Sequence, residues 1–154
     1  MSLSLKKEKM IEYLENAKAQ GENFRCMLWG TVYADLPLFE NRSAVSIAMI
    51  FTLAPGVSAM PNNAFCYVGL TEKSIYLIAL DAYSTSKIIA TFVLPFEDIT
   101  SLKMRKALLG GSHIIDIECG GFVKLTVKNT SIGTDIKDQK ERVQEFINAM
   151  ESLL

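Results

Sequence analysis

The stretch FCYVGLTEKSIYLIALD (residues 65–81), which continues after a polar loop as KIIATFVLPFEDITSLK (residues 87–103), indicates the fold more clearly than any other part of the chain. Short apolar, β-favouring runs alternate in it with clusters of turn-forming residues. This alternation is typical of successive strands in an antiparallel meander. The third run meets Pro95, which cannot donate a backbone hydrogen bond and therefore ends a central strand. We predict strands at residues 65–70, 75–80 and 87–94.

The hairpins that follow can be paired by requiring apolar side chains to share one face, because a slip by one residue would bury the charged ones. The predicted segments are strands at 99–106 and 113–119, a three-residue glycine turn at 119–121 and a last strand that ends near Val127. This rule sets Met104 opposite Ile115. It also places Asp116 between Lys103 and Lys124, as a ladder of charges on a solvated sheet face.

Amphipathic helices are predicted at both ends of the chain. Residues 5–20 repeat apolar side chains at helical spacing, and residues 135–153 form one continuous apolar stripe, with Thr134 or Asp135 as N-cap. The stripe of the second helix needs an apolar surface to pack on. We therefore predict two parts, an N-terminal helix within residues 1–22 that packs on the domain, and a mostly β domain over residues 23–154.

Two segments before the meander leave alternatives open. Residues 24–34 are predicted as the first strand, with Trp29 and Tyr33 on one face. Aromatic side chains occur both in cores and in contact surfaces, so we favour the core for this pair and keep both residues as interface candidates. Residues 43–54 alternate large with small side chains, which indicates a strand with one buried face, but a helix also fits an apolar segment.

Composition and charge indicate a soluble cytoplasmic protein. The 154 residues include 16 Lys and Arg against 17 Asp and Glu, and a net charge of −1 gives no general attraction to nucleic acid. The three cysteines have no C-x-x-C spacing, which fits a reducing compartment without a disulfide framework. No signal peptide is apparent, and the longest apolar run is too short to span a bilayer. The hydrophobic share of 49% is consistent with self-association.

No spacing in the sequence requires a catalytic set, a cofactor or a metal. His113 is the only histidine, and no motif supplies it with a catalytic partner, so a structural or solvent-facing role is preferred. Metal sites need three or four ligands, and scattered thiols with one imidazole do not indicate one. The chain is therefore predicted not to be an enzyme.

A resemblance to a known family rests on two segments, Tyr67-Val-Gly-Leu-Thr-Glu-Lys-Ser-Ile-Tyr-Leu-Ile and Leu94-Pro-Phe-Glu-Asp-Ile-Thr-Ser-Leu-Lys. They resemble the bacterial pleckstrin-homology-like domains of the YokE-like or GRAM-related type. The resemblance implies a mostly β (α+β) fold, a barrel of about seven antiparallel strands capped by a C-terminal helix, here with an extra N-terminal helix. It also implies an interaction or assembly role, often as an oligomer. The basic pattern of phosphoinositide-binding members is missing, since that region offers only Arg25 and Arg42.

We therefore predict a non-enzymatic cytoplasmic binding or assembly module that forms homo-oligomers or binds a protein partner, without nucleic acid. The alternative is a peripheral protein that binds anionic lipid. Its candidate contacts to an anion or lipid are either Lys6, Lys7 and Lys9 or the cluster Lys103, Arg105 and Lys106. A third hypothesis is a carrier or enzyme that binds a small molecule in a barrel cavity. That cavity would be lined by Tyr67, Tyr76, Phe92 and Met104.

Overall fold

The computed structural model describes residues 5–35, 50–53, 63–107 and 111–152. The helices are α1 (Lys7–Ala17) and α2 (Gln139–Glu151). The strands are β1 (Cys26–Asp35), β2 (Ile50–Leu53), β3 (Ala64–Leu70), β4 (Ser74–Leu80), β5 (Ile88–Pro95), β6 (Ser101–Lys106), β7 (Ser112–Glu118) and β8 (Phe122–Lys128). A short 3-10 turn, Phe96–Asp98, joins β5 to β6.

All eight strands belong to one antiparallel sheet in the order β2-β5-β4-β3-β1-β8-β7-β6. The mostly β class with a helix at each end is thereby confirmed. The sheet is open across the described residues, because closure would need β2 to pair with β6 and these strands lie at opposite ends of the order. Strand β2 confirms a strand for residues 50–53, and the rest of the predicted segment 43–54 lies outside the described residues.

The predicted pairing of the last three strands is confirmed residue by residue. Met104 lies opposite Ile115, and Asp116 lies between Lys103 on β6 and Lys124 on β8. The turn has three residues, as the pairing rule required. Gly120 adopts a φ of 84° in this turn, in the left-handed region that glycine enters without a steric cost. Keeping like faces together was therefore sufficient to fix this register.

One face of the sheet buries the apolar stripe of α2, and together they form the inner core. The predicted helical stripe is confirmed from Val143 to Met150, whereas Ile136, within the predicted range 135–153, lies before the helix and packs on the other side of the sheet. Its buried apolar members are Val143, Phe146, Ile147, Ala149 and Met150. The helix begins at Gln139, so the predicted N-caps Thr134 and Asp135 are wrong. The Asp135 carboxylate instead accepts a hydrogen bond from the backbone N–H of Lys7, the first residue of α1.

The other face of the sheet is covered over β1, β3 and β4 by the N-terminal segment (residues 5–24), and this packing forms the outer core. Its buried side chains include Leu5, Met10, Leu14, Trp29, Tyr67, Tyr76, Ile78 and Leu80. Tyrosine hydroxyls tie the segment to the sheet. The Tyr67 hydroxyl accepts the backbone N–H of Lys6 at 3.1 Å, and the Tyr76 hydroxyl donates to Glu22 at 2.9 Å. Strands β3 and β4 are therefore buried on both faces, which explains their continuous apolar runs.

The fully buried side chain of Gln139 joins β1 to β8 at the point where the two strands separate. Pairing between them ends at Gly30 and Val127, so Trp29 and Lys128 do not pair. The Gln139 amide fills this gap, because Nε2 donates to the carbonyls of Trp29 (2.8 Å) and Lys128 (3.0 Å). Its Oε1 accepts the Trp29 N–H at 3.3 Å. Helix α2 is thus attached to the sheet backbone by hydrogen bonds as well as by apolar contacts.

We expect Gln139→Met to lower the free energy of unfolding by about 2–4 kcal/mol, since each buried backbone group left unpaired costs about 1–3 kcal/mol. Urea denaturation followed by circular dichroism measures this change. Gln144→Met, in the exposed middle of the same helix, is the matched control and is expected to change stability by less than about 0.5 kcal/mol. Equal effects of the two substitutions would contradict the bridging role of Gln139.

Two strand glycines are expected to differ in their tolerance of a methyl group. A Cβ at Gly30 would overlap the backbone carbonyl of Thr126 on the paired strand, whereas a Cβ at Gly69 would overlap the half-buried ring of Phe24. A backbone carbonyl in a sheet cannot turn away, so we expect Gly30→Ala to cost about 1–3 kcal/mol or more. Gly69→Ala should cost less, because the ring can shift. The unfolding free energies are measured by urea denaturation. A larger loss for Gly69→Ala than for Gly30→Ala would refute this account.

Candidate functional site

The predicted anion contacts Lys103, Arg105 and Lys106 all lie on the exposed strand β6. This strand pairs only with β7 and forms one edge of the sheet across the described residues. Strand alternation divides the three cations between the two faces of the sheet. Lys103 and Arg105 point outward, whereas Lys106 points inward, on the same face as Met104. Charged side chains on an edge strand also oppose unwanted pairing with other sheets, so their presence has a structural explanation as well.

The outward side of the sheet at β1, β8, β7 and β6 forms a surface that we call the charged face. It consists of Tyr33, Asn63, Lys103, Arg105, Asp116, Phe122 and Lys124. Helix α1 packs on β1, β3 and β4, and α2 packs on the opposite side of β1 and β8. Neither helix therefore covers the outward side of β6 and β7. Six of these residues, all except Lys103, line a groove of about 480 Å³.

The electrostatics of the charged face centre on Asp116. Its predicted neighbours Lys103 and Lys124 lie opposite it in the strand register. The ion pair that forms is diagonal, because Arg105 Nε lies 3.5 Å from the Asp116 Oδ2. The other oxygen, Oδ1, is buried without a hydrogen-bond partner among the described residues. Cations thus surround a carboxylate that is only partly satisfied.

The two aromatic interface candidates have different positions. Tyr33 is half-buried and lies in the groove of the charged face, beside the side chains of Arg105 and Lys124. Trp29 is only 2% exposed and packs in the outer core, with its ring centroid 6.4 Å from that of Phe65. The core preference therefore fits Trp29 and not Tyr33. The N-terminal segment makes the difference, because it covers the first half of β1 only.

The hypothetical barrel cavity is not formed. Tyr67 and Tyr76 belong to the outer core, while Phe92 is fully buried in the inner core and Met104 packs at its border. The sheet itself separates the two groups, so their side chains cannot line one cavity. The prediction was wrong because it combined residues from opposite faces of neighbouring strands.

A second concave site, which we call the end cleft, lies where the end of β6, the start of β7, the end of β8 and the second half of α2 meet. It is lined by Met104, Arg105, Lys106, Gly111, His113, Asn129, Gln144, Ile147 and Glu151 and has a volume of about 370 Å³. The backbone register alone brings Lys106 directly opposite His113. The strand register predicted from the sequence already implies that Lys106 lies opposite His113, whereas sequence motifs alone supply no partner for His113.

The imidazole of His113 lies between charges of opposite sign. Its burial lowers the pKa below the ordinary value of 6.5, the ammonium of Lys106 lowers the pKa further, and the carboxylate of Glu151 opposes both effects. His113 is therefore neutral at pH 7. Close by, the Oδ1 atom of Asn129 is buried and accepts no hydrogen bond from any described residue. The end cleft thus presents a cation, an anion and an unused acceptor.

The cysteines offer no nucleophile. Cys26, Cys66 and Cys119 are free and buried. Burial is the main cause that raises the pKa of Cys26 to about 12 and that of Cys119 to about 11, and it raises the pKa of Cys66 as well. All three are therefore protonated thiols at neutral pH, whereas the thiolate is the reactive form.

Two further searches concern the described residues only. They contain no group of three His, Cys, Asp or Glu side chains that could bind a metal ion. Neither of the helices α1 and α2 is long and apolar enough to cross a bilayer. Comparison of the whole chain with known protein families, with curated proteins and with solved structures found no match.

The charges around His113 make a prediction about its pKa. We expect proton NMR titration to give a pKa below 6.5, which Lys106→Gln raises by removing a nearby cation and Glu151→Gln lowers by removing a nearby anion. Lys103→Gln, three residues before the end of β6 on the outward face, is the control and should leave the pKa unchanged. If neither Lys106→Gln nor Glu151→Gln changes the pKa of His113, the described geometry of the end cleft is contradicted.

Proposed function

We propose that this chain is a non-enzymatic cytoplasmic binding and assembly module with a pleckstrin-homology-like fold, and that its copies associate through the charged face. The observation that carries the proposal is the outward side of β6 and β7, which neither α1 nor α2 covers, beside a groove that combines Tyr33 and Phe122 with Arg105. Aromatic residues and arginine are enriched in protein interfaces. The opposite end of the same sheet face is buried by α1 and needs no partner.

The fold supports the family part of the proposal through its element order. The first motif of the resemblance forms the β3–β4 hairpin, and the second forms the end of β5, the 3-10 turn and the start of β6. A terminal helix packs on the inner face of an antiparallel sheet, as in the pleckstrin-homology-like domains that the motifs resemble. The open sheet differs from the closed barrel that the resemblance implies.

A second copy is the proposed partner because the charged face carries both signs. Arg105 and Lys124 lie beside Asp116, so a two-fold axis can place the cations of one copy against the carboxylate of the other. Interfaces of symmetric dimers are self-complementary in this way. A net charge of −1 adds little repulsion between copies. A purely cationic surface would instead favour an acidic partner.

Binding to anionic membranes is the second candidate, and one observation favours it. Lys103, Arg105 and Lys106 are all exposed on the edge strand β6. Each basic residue near an anionic surface contributes about 1 kcal/mol. Sedimentation with phosphatidylserine vesicles and with neutral vesicles at low salt distinguishes the candidates. Stronger binding to the anionic vesicles, lost in Lys103→Gln/Lys106→Gln, supports the membrane candidate, and equal binding removes it.

We expect light scattering of the purified chain at about 100 μM to show a dimer or larger assembly. Asp116→Arg should weaken association at least about tenfold, or about 1.4 kcal/mol, because it places like charges together. The exchange Arg105→Asp/Asp116→Arg restores opposite charges and should restore association. Lys73→Glu, in the distant turn between β3 and β4, is the control. A strict monomer at every concentration would refute the assembly proposal.

A further inference from the structure

We propose that the end cleft is a binding site for a small zwitterion of the amino-acid class, with the ligand's carboxylate toward Lys106 and Arg105 and its ammonium toward Glu151. This site is distinct from the charged face, with which it shares Arg105. It uses side chains on the inward side of β6 and β7 and on α2, and none of them besides Arg105 belongs to the charged face.

The cationic wall of the end cleft is available to a ligand. Lys106 is exposed at the end of β6 and forms no ion pair with any described residue. Arg105 pairs with Asp116 through Nε only, at 3.5 Å, and a guanidinium has further donors. A carboxylate that enters the end cleft therefore meets one ammonium group without a competing partner and one guanidinium that is only partly engaged.

The opposite wall of the end cleft carries side-chain acceptors that have no donor partner among the described residues. Glu151 forms no ion pair with a described residue, and the buried Oδ1 of Asn129 accepts no hydrogen bond from one. Buried polar atoms are nearly always hydrogen-bonded, because leaving an acceptor unpaired costs about 1–3 kcal/mol. The nearby amide of Gln144 donates instead to Asn148 at 2.9 Å. An ammonium group of a ligand would pair with the carboxylate of Glu151, which is exposed.

The two walls are close enough for one small ligand to reach both. Lys106, His113 and Glu151 line the same cleft, and Lys106 lies opposite His113 in the strand register. The volume of about 370 Å³ is at the lower end of the range of small-molecule sites. A plain anion would be repelled by Glu151, and a plain cation would be repelled by Lys106. A ligand that carries both charges avoids each penalty.

The test uses His113 as a reporter, because it is the only histidine and its imidazole proton signals are unambiguous. The purified full chain is titrated at pH 7 with single L-amino acids, and separately with acetate and methylammonium as the two halves of a zwitterion. We expect a saturable shift of the His113 signals with at least one amino acid at about 10 mM or less, and binding at least about tenfold weaker for each half.

Substitutions locate the site. Lys106→Gln and Glu151→Gln should each weaken amino-acid binding about tenfold, whereas Lys103→Gln on the outward face should leave it unchanged. The methyl region of the same spectra reports whether each variant is folded. Acetate that binds as tightly as the amino acids, or His113 signals that do not respond to any amino acid, would overturn the proposal. An unchanged affinity in both cleft variants would do so as well.

Discussion

The side-chain amide of Gln139 is the constraint on which the arrangement of sheet and helix depends. Strand β1 pairs with β3 on one side and with β8 on the other, and its pairing with β8 begins only at Gly30. Without a substitute partner, the buried backbone groups of Trp29 and the partly buried carbonyl of Lys128 would be unpaired, at a cost of about 1–3 kcal/mol for each fully buried group. The amide supplies three hydrogen bonds there. It thereby fixes where α2 begins.

Fixing the start of α2 also positions the end cleft. The helix runs from Gln139 to Glu151, a distance of about 18 Å at a rise of about 1.5 Å per residue. Its first turn is attached to β1 and β8, and Ile147 and Glu151 near its other end line the end cleft beside His113. The polar contact at one end of the helix therefore determines which side chains reach the cleft at the other.

Sequence patterns predicted the parts of this structure that depend on local periodicity. The register around Asp116 followed from alternation, and the stripe of α2 followed from helical spacing, because a misplaced residue would bury charge. Three outcomes required knowledge of distant packing. No sequence pattern singled out Gln139, and the different positions of Trp29 and Tyr33, for which one core position was favoured, arise because the N-terminal segment crosses only part of β1. Asp135 caps a helix that begins 128 positions earlier in the chain.

The candidate site shows the same division between local and distant information. Lys103, Arg105 and Lys106 form one cluster in the sequence, yet strand alternation sends Lys106 to the end cleft and the other two to the charged face. Arg105 borders both surfaces. A carboxylate of a second copy that draws the guanidinium outward would remove one cation from the end cleft. Binding at one surface would then weaken binding at the other by the same factor, since coupling between two sites is reciprocal.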